Sequence, residues 1–271
     1  MVVRIEKDGP VWTVIHDRPE ARNAMDPESA DALTEAFLQF DADDSASIAV
    51  FYGAGGAFCA GWDLNFVSTL DVTYPLGELD ILPAKTRGNG SDIPRGPLGP
   101  SRLELDKPVI AAVAGPAVAG GMELALWCDF RVMQEDAYFG VYCRRWGVPL
   151  IDGGTVRLPR IVGLGRALEI ILTGRKVPAD ECLRIGLCEY VVANGSVREE
   201  AERLAREIAR FPQVCVRADR RSAIRSHGLP VRDALIQEWY NGRQALTKDG
   251  VAGAVRFKDG LGRHGDFGKI D

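Results

Sequence analysis

Apolar positions along this chain recur with two different spacings, and the alternation between them maps out a series of strands and helices. Residues 2 to 7 and 11 to 16 alternate or run apolar on either side of Asp8-Gly9-Pro10, which predicts a hairpin at the start of a sheet. Asp26 followed by Pro27 and Glu28 is a helix start, with a capping acid ahead of a residue that needs no N–H partner there. From that point Ala30, Leu33, Ala36, Phe37 and Phe40 share one face at helical spacing, so the helix is expected to run to about Asp43. Ile48 to Tyr52 and residues 109–114, 130–133 and 187–192 are short apolar runs that read as strands. Helical stretches separate them, and the alternation predicts an α/β fold. Residues 71–100 hold Pro75, Pro83, Pro94, Pro97 and Pro100 with several glycines, which predicts an irregular loop.

After about Asn194 the pattern changes to charged amphipathic helices over roughly 197–210, 213–227 and 231–247, ending in the glycine-rich Gly260-Leu261-Gly262-Arg263-His264-Gly265. The change divides the chain into a core, residues 1–196, and a helical segment, residues 197–271. On sequence alone, the apolar positions Leu204, Ile208, Leu235, Trp239 and Tyr240 read as a cover for that core.

Two strand ends run into glycine-rich turns, and these are the candidate chemistry. Pro108 to Ala114 reads as a buried strand that turns at Gly115-Pro116 into Ala117-Val118-Ala119-Gly120-Gly121-Met122-Glu123-Leu124-Ala125, a glycine-lined helix start with one carboxylate in its first turn. The first N–H groups of a helix lack intrahelical partners and carry partial positive charge, so a carbonyl oxygen gaining negative charge is stabilised there. A plain first-turn acid on a tightly packed helix explains the same residues equally well. The second turn follows Val50-Phe51-Tyr52 and reads Gly53-Ala54-Gly55-Gly56-Ala57-Phe58-Cys59-Ala60-Gly61-Trp62-Asp63-Leu64. Two such loops can face one reacting carbonyl.

Composition narrows the setting. A chain of 271 residues with 46% hydrophobic content is long enough to bury a sizeable core. It has no run of the ~18 apolar residues a bilayer span requires, and Met1 to Asp8 lacks the apolar stretch of a signal peptide, so the cytoplasm is the expected compartment and no membrane partner is expected. Cys59, Cys128, Cys143, Cys182, Cys188 and Cys215 are scattered without paired spacing, and only three histidines are present, which argues for reduced thiols and against a zinc site. A net charge of −5 weighs against nucleic acid as a partner while leaving room for a local basic pocket.

The two loops, taken together, resemble the signatures of the crotonase superfamily, the enoyl-CoA hydratase/isomerase family. The resemblance continues through Asp17-Arg18-Pro19-Glu20-Ala21-Arg22-Asn23-Ala24-Met25, Lys107 to Ala112, Cys128 to Arg131, Gly153 to Leu158 and Leu172 to Arg175, covering residues 10–195 in order. It implies a spiral of ββα units, and a C-terminal segment that builds trimers, often paired into hexamers. It implies an acyl-CoA substrate, with coenzyme A entering as part of that substrate, and no metal or redox cofactor. Ala60 and Gly120 match the residues whose backbone N–H groups hold the thioester oxygen. Ala60, Gly61, Trp62, Asp63 and Leu64 match the path of the adenine and pantetheine, with Arg22 as a phosphate neighbour. The irregular 71–100 segment matches the region that shapes the acyl pocket.

Glu123 matches one of the two glutamates that hold and activate water in hydratases. The position of the other is filled by Cys143, whose thiol is largely protonated at neutral pH and is a poor exchanger of protons. Asp152, in the loop from Gly147 to Thr155, offers a replacement acid or base; a turn residue or helix cap before Gly153-Gly154-Thr155 is the alternative. Some relatives place a working aspartate in this loop, although the ungapped match for the dienoyl-CoA isomerases falls at Ile151. The expected function is an enoyl-CoA hydratase-type lyase. The alternatives are a dienoyl-CoA isomerase or CoA-thioester hydrolase using Glu123 and Asp152, and a non-catalytic acyl-CoA binding protein. Trp146 and the proline-rich segment are compatible with a bulky acyl group.

Overall fold

The computed structural model describes residues 1–71, 96–265, 267, 268 and 270, so most of the segment expected to be irregular, 72–95, lies outside the described residues. The expected hairpin forms from β1 (Val3–Asp8) and β2 (Val11–His16), which pair antiparallel with Val3 opposite His16. Helix α1 (Pro27–Ala42) starts where the Asp26 carboxylate accepts the Ser29 N–H at 2.8 Å, and its buried face is the predicted one, Ala30, Leu33, Ala36, Phe37 and Phe40. Strand β3 (Ile48–Gly53) and the one-turn α2 (Leu64–Val67) follow. Next come β4 (Val109–Val113), β5 (Pro116–Val118), α3 (Gly120–Trp127), β6 (Phe130–Gln134) and β7 (Tyr138–Gly140). The chain continues through α4 (Gly154–Val162), α5 (Leu164–Thr173), β8 (Lys176–Pro178), α6 (Ala179–Arg184) and β9 (Tyr190–Val192), and ends in α7 (Val197–Ala209), α8 (Gln213–Arg225), α9 (Val231–Ala245) and α10 (Val251–Lys258).

Strands β1-β2-β3-β4-β6-β9 form one sheet, parallel from β2 onward, and β5-β7-β8 form a second. Three passes through the large sheet, β3, β4 and β6, are each followed by an extended piece in or bridged to the small one. Strand β3 leads to Cys59, which bridges to Ala117; β4 leads to β5 and then α3; β6 leads to β7. This is the α/β fold that the alternation predicts, in the spiral of ββα units that the resemblance implies. One face of the large sheet packs Phe51 against Phe37 of α1 and against Phe58.

The other face is covered by α7, whose Val197, Ala201, Leu204 and Ala205 pack against Val11, Ile48, Val50, Ile110 and Val132. Helix α7, on the far side of the expected division at residue 196, thus packs into the core. Arg220 ties α8 to the core, donating to Asp129 Oδ1 at 2.7 Å and to the Leu105 carbonyl at 2.6 Å. The predicted covering positions divide the same way. Leu204 is buried and Ile208 partly so, whereas Leu235, Trp239 and Tyr240 are 57%, 61% and 59% exposed. Among the described residues no helix is long and apolar enough to cross a membrane.

His16, at the end of β2, is fully buried, and neither ring nitrogen has a hydrogen-bond partner among the described residues. Burial pushes it down to about 4, with Asp26 and Asp17 opposing and Arg18 assisting. The unfolded chain therefore takes up a proton that the folded chain refuses as pH falls from about 6.5 towards 4. His16→Leu is expected to flatten this acid-side loss of stability by roughly 3 kcal/mol, read from chemical denaturation at a series of pH values; an unchanged slope would assign the loss to other groups.

Candidate active site

The two glycine-rich loops meet because β5 carries both. The Cys59 carbonyl accepts the Val118 N–H at 3.0 Å, and Phe58 donates to the Pro116 carbonyl at 3.0 Å. Asn23, buried and in the left-handed region, staples the first loop by donating through Nδ2 to the carbonyls of Ala54 and Ala57, at 2.8 and 2.7 Å. The approach needs glycine. A Cβ on Gly61, which has φ of +85°, would stand 3.0 Å from the Gly120 nitrogen, and a Cβ on Gly121 would stand 2.0 Å from the Cys59 carbonyl oxygen.

On the first loop the N–H without a partner is not that of Ala60 but that of Trp62, two residues on, among the described residues. The Ala60 N–H is committed to the Arg22 carbonyl at 3.1 Å. Met25 bridges to Trp62 by taking the Gly61 carbonyl and the Asp63 N–H, so the Trp62 N–H is left without a partner among the described residues. The Gly120 N–H, at the first turn of α3, is likewise unpaired. Trp62 and Gly120 line the same cleft, with Ala60, Leu64 and Arg22. Asp63 does not line it and is structural: it accepts Arg18 Nη2 at 2.8 Å, and its other oxygen caps α2 through the Asn65 N–H at 2.9 Å. Gly61 acts through its lack of a side chain.

The same cleft is lined by two buried carboxyls, Glu123 and Asp152. Glu123 Oε1 accepts the N–H groups of Asp152 and Gly154 at 2.9 and 2.8 Å, while Oε2 accepts none among the described residues. Burial, reinforced by the charge of Asp152, pushes Glu123 up to about 8, so it carries its proton at neutral pH. Asp152 Oδ1 accepts from Ser101 Oγ and from the Leu98 N–H at 2.9 Å. Burial raises Asp152 as well, and these two donors hold the rise down. Two buried acids, both with raised proton affinity, therefore line one cleft.

The cleft encloses ≈ 220 Å³ and is completed by Tyr142, Cys143, Arg145, Trp146, Val148 and Pro149. Cys143 stands beside Glu123, and burial, reinforced by the Glu123 charge, pushes its thiol up, so it supplies neither a carboxylate's proton exchange nor a thiolate. Sequence reasoning missed Ser101 and Tyr142, for which no local pattern exists, and gave Arg157 no role although it lies in the quoted Gly153-Gly154-Thr155-Val156-Arg157-Leu158 stretch. Arg157 donates to the carbonyls of Asp152 and Ser101 at 2.9 and 2.7 Å. No group of three or more His, Cys, Asp or Glu that could hold a metal ion occurs among the described residues.

Residues 6–73 and 101–244 match the Enoyl-CoA hydratase/isomerase family. A carnitinyl-CoA dehydratase of Salmonella typhi is 35% identical over 221 residues, 80% of this chain and 77% of that protein. Its counterpart in Salmonella arizonae is 33% identical over 243 residues, covering 88% and 84%. Among solved structures, an enoyl-CoA hydratase from Mycobacterium marinum superposes with a TM-score of 0.82 at 30% identity, over 95% of this chain and 96% of that one. An enoyl-CoA hydratase from Bacillus anthracis gives 0.83 at 27%, over 96% of each chain.

Proposed function

The chain belongs to the enoyl-CoA hydratase/isomerase family, the crotonase superfamily, and we propose that within this family of acyl-CoA enzymes it is a hydratase-type lyase that adds water to a trans-2-enoyl-CoA. The observation that carries this reading is the cleft itself, whose lining brings together Trp62 and Gly120, with their unpaired N–H groups, and the buried carboxyls of Glu123 and Asp152. A thioester oxygen between the two N–H groups gains charge as the β-carbon is attacked, and each such donor contributes on the order of 3 kcal/mol to the transition state. Water gives a proton to the Asp152 carboxylate as its oxygen bonds to the β-carbon. The resulting enolate takes the Glu123 proton at its α-carbon. Return of the proton from Asp152 to Glu123 resets the pair, and the reverse sequence is a dehydration.

Loss of the conjugated-thioester absorbance with a panel of trans-2-enoyl-CoA substrates, short, long and aromatic, tests the reading, with Glu123→Gln as control. Loss that the variant abolishes supports it. Free CoA release points to a hydrolase, a shifted double bond to an isomerase, and tight binding without turnover to a binding protein.

The relatives named for carnitinyl-CoA raise the question of a cationic acyl group. Trp62, Tyr142 and Trp146 would suit a quaternary ammonium, but the Arg145 guanidinium already lies over two of these rings, 4.8 Å from the Tyr142 centroid and 5.9 Å from that of Trp146. An uncharged enoyl-CoA is therefore expected to be preferred in kcat/KM over a trimethylammonium-bearing one by at least about tenfold, and Arg145→Ala to narrow the gap. Equal turnover of the two by the unaltered protein would remove Arg145 as the discriminating group.

The exposed Leu235, Trp239 and Tyr240 of α9 support a homotrimer or hexamer in which a second copy covers the segment from α8 onward.

A further inference from the structure

The turn after residue 95 is locked onto the acid pair by an unusually dense set of hydrogen bonds. Ser101 is wholly buried. Its Oγ donates to Asp152 Oδ1, and the Leu98 N–H reaches the same oxygen at 2.9 Å. Arg157 of α4 spans the two segments, with Nη2 on the Ser101 carbonyl at 2.7 Å and Nη1 on the Asp152 carbonyl at 2.9 Å. Arg102 Nη2 adds a third tie, to the Ile151 carbonyl at 2.7 Å. The backbone that Ser101 thereby fixes is the one whose N–H groups, at Asp152 and Gly154, hold Glu123 Oε1.

We propose that Ser101 is a positioning residue that keeps Asp152 the ionised member of the Glu123–Asp152 pair, and so decides which acid gives the proton and which takes it. The inference rests on the acid/base roles proposed above, and none of its contacts is with the reacting atoms. A hydroxyl aimed at Oδ1 has a proton to give and favours the carboxylate; it cannot favour the neutral acid at that oxygen while its own lone pairs point elsewhere. The groups facing Asp152 from the packed elements are Glu123 on α3, Arg157 on α4, Arg102 beside Ser101, and the thiol of Cys59 from the first loop, with Cys143 behind Glu123. All of them remain in Ser101→Ala, which removes one donor only.

The test is the pH dependence of kcat/KM for the enoyl-CoA turned over, in the unaltered protein, Ser101→Ala and Ser101→Thr. The acid limb, set by Asp152, is expected to move up by about one pH unit in Ser101→Ala, the basic limb, set by Glu123, to stay, and the threonine variant, which keeps the hydroxyl, to restore the acid limb. A profile lowered uniformly with both limbs in place would show a merely structural residue and overturn the proposal. The same groups are read without substrate from the carboxyl stretch in infrared pH titrations, assigning to Asp152 the band lost in Asp152→Asn. A raised midpoint in Ser101→Ala sustains the proposal even if no enoyl-CoA is hydrated, in which case the hydratase reading alone falls. An unmoved midpoint overturns it whatever the turnover.

Discussion

Glu123→Gln is expected to lower turnover by about 10³-fold while raising the stability of the folded protein, because one property of this residue underlies both effects. Its Oε1 is fixed by the N–H groups of Asp152 and Gly154, and a glutamine oxygen accepts the same two hydrogen bonds, so the cleft keeps its shape and acyl-CoA binding is retained. The variant loses only the exchangeable proton. The stability gain follows from the raised proton affinity. A carboxyl whose affinity rises from an ordinary 4.5 to about 8 on folding keeps a proton between those values that the unfolded chain releases, so stability falls as pH rises through that window. The full cost is reached above pH 8, and at about 1.4 kcal/mol per pH unit it is on the order of 5 kcal/mol there. Glutamine has no such cost. The difference in melting temperature between the variant and the unaltered protein should therefore grow steadily from pH 5 to pH 8. Retention of more than about a tenth of the turnover would remove Glu123 from the chemistry, and a difference that does not vary with pH would remove the proton from Glu123.

The residues that could be read in advance are those whose surroundings lie close by in the chain. The β1–β2 hairpin and α1 follow from spacings of two and between three and four residues and from a capping acid, and both stand where expected. Strands β5, β7 and β8 are three residues each, too short to show a period, and exist because they pair with one another. In sequence α7 is as charged as α8 and α9, and only its contacts with β2, β3 and β4 show that its apolar face packs into a core. At the site, the glycines located both loops, but which N–H is left unpaired depends on backbone contacts, and Arg22 occupies the Ala60 N–H while the bridge to Met25 leaves that of Trp62 free among the described residues. Ser101 was illegible for a different reason: 51 residues separate it from Asp152, and a lone serine carries no sign of the carboxylate it will meet.

Gly121→Ala is expected to have the second-largest effect, and it separates contact between the loops from contact with substrate. The new Cβ would stand 2.0 Å from the Cys59 oxygen and 2.7 Å from the Cys59 carbonyl carbon, and both are backbone atoms of a segment bridged to β5, so the first turn of α3 must move. That movement draws the Gly120 N–H away from the Trp62 N–H. Loss of one such donor corresponds to about 10²- to 10³-fold in kcat, and the strain itself to roughly 1–3 kcal/mol of stability. Gly120→Ala meets Leu98 Cδ1 instead, the end of a side chain that can swing aside, and its stability loss should be the smaller of the two. Gly165→Ala, in α5 with nothing within 4 Å of its Cβ, controls for the general effect of losing a glycine and should leave turnover unchanged. Thermal melting and kcat on all three variants decide the matter. If Gly121→Ala loses stability and keeps its turnover, the spacing of the two N–H groups is not what the loop contact secures, and the rate must rest on the acid pair; if turnover falls further than stability requires, the close approach at Cys59 is itself part of the catalytic geometry.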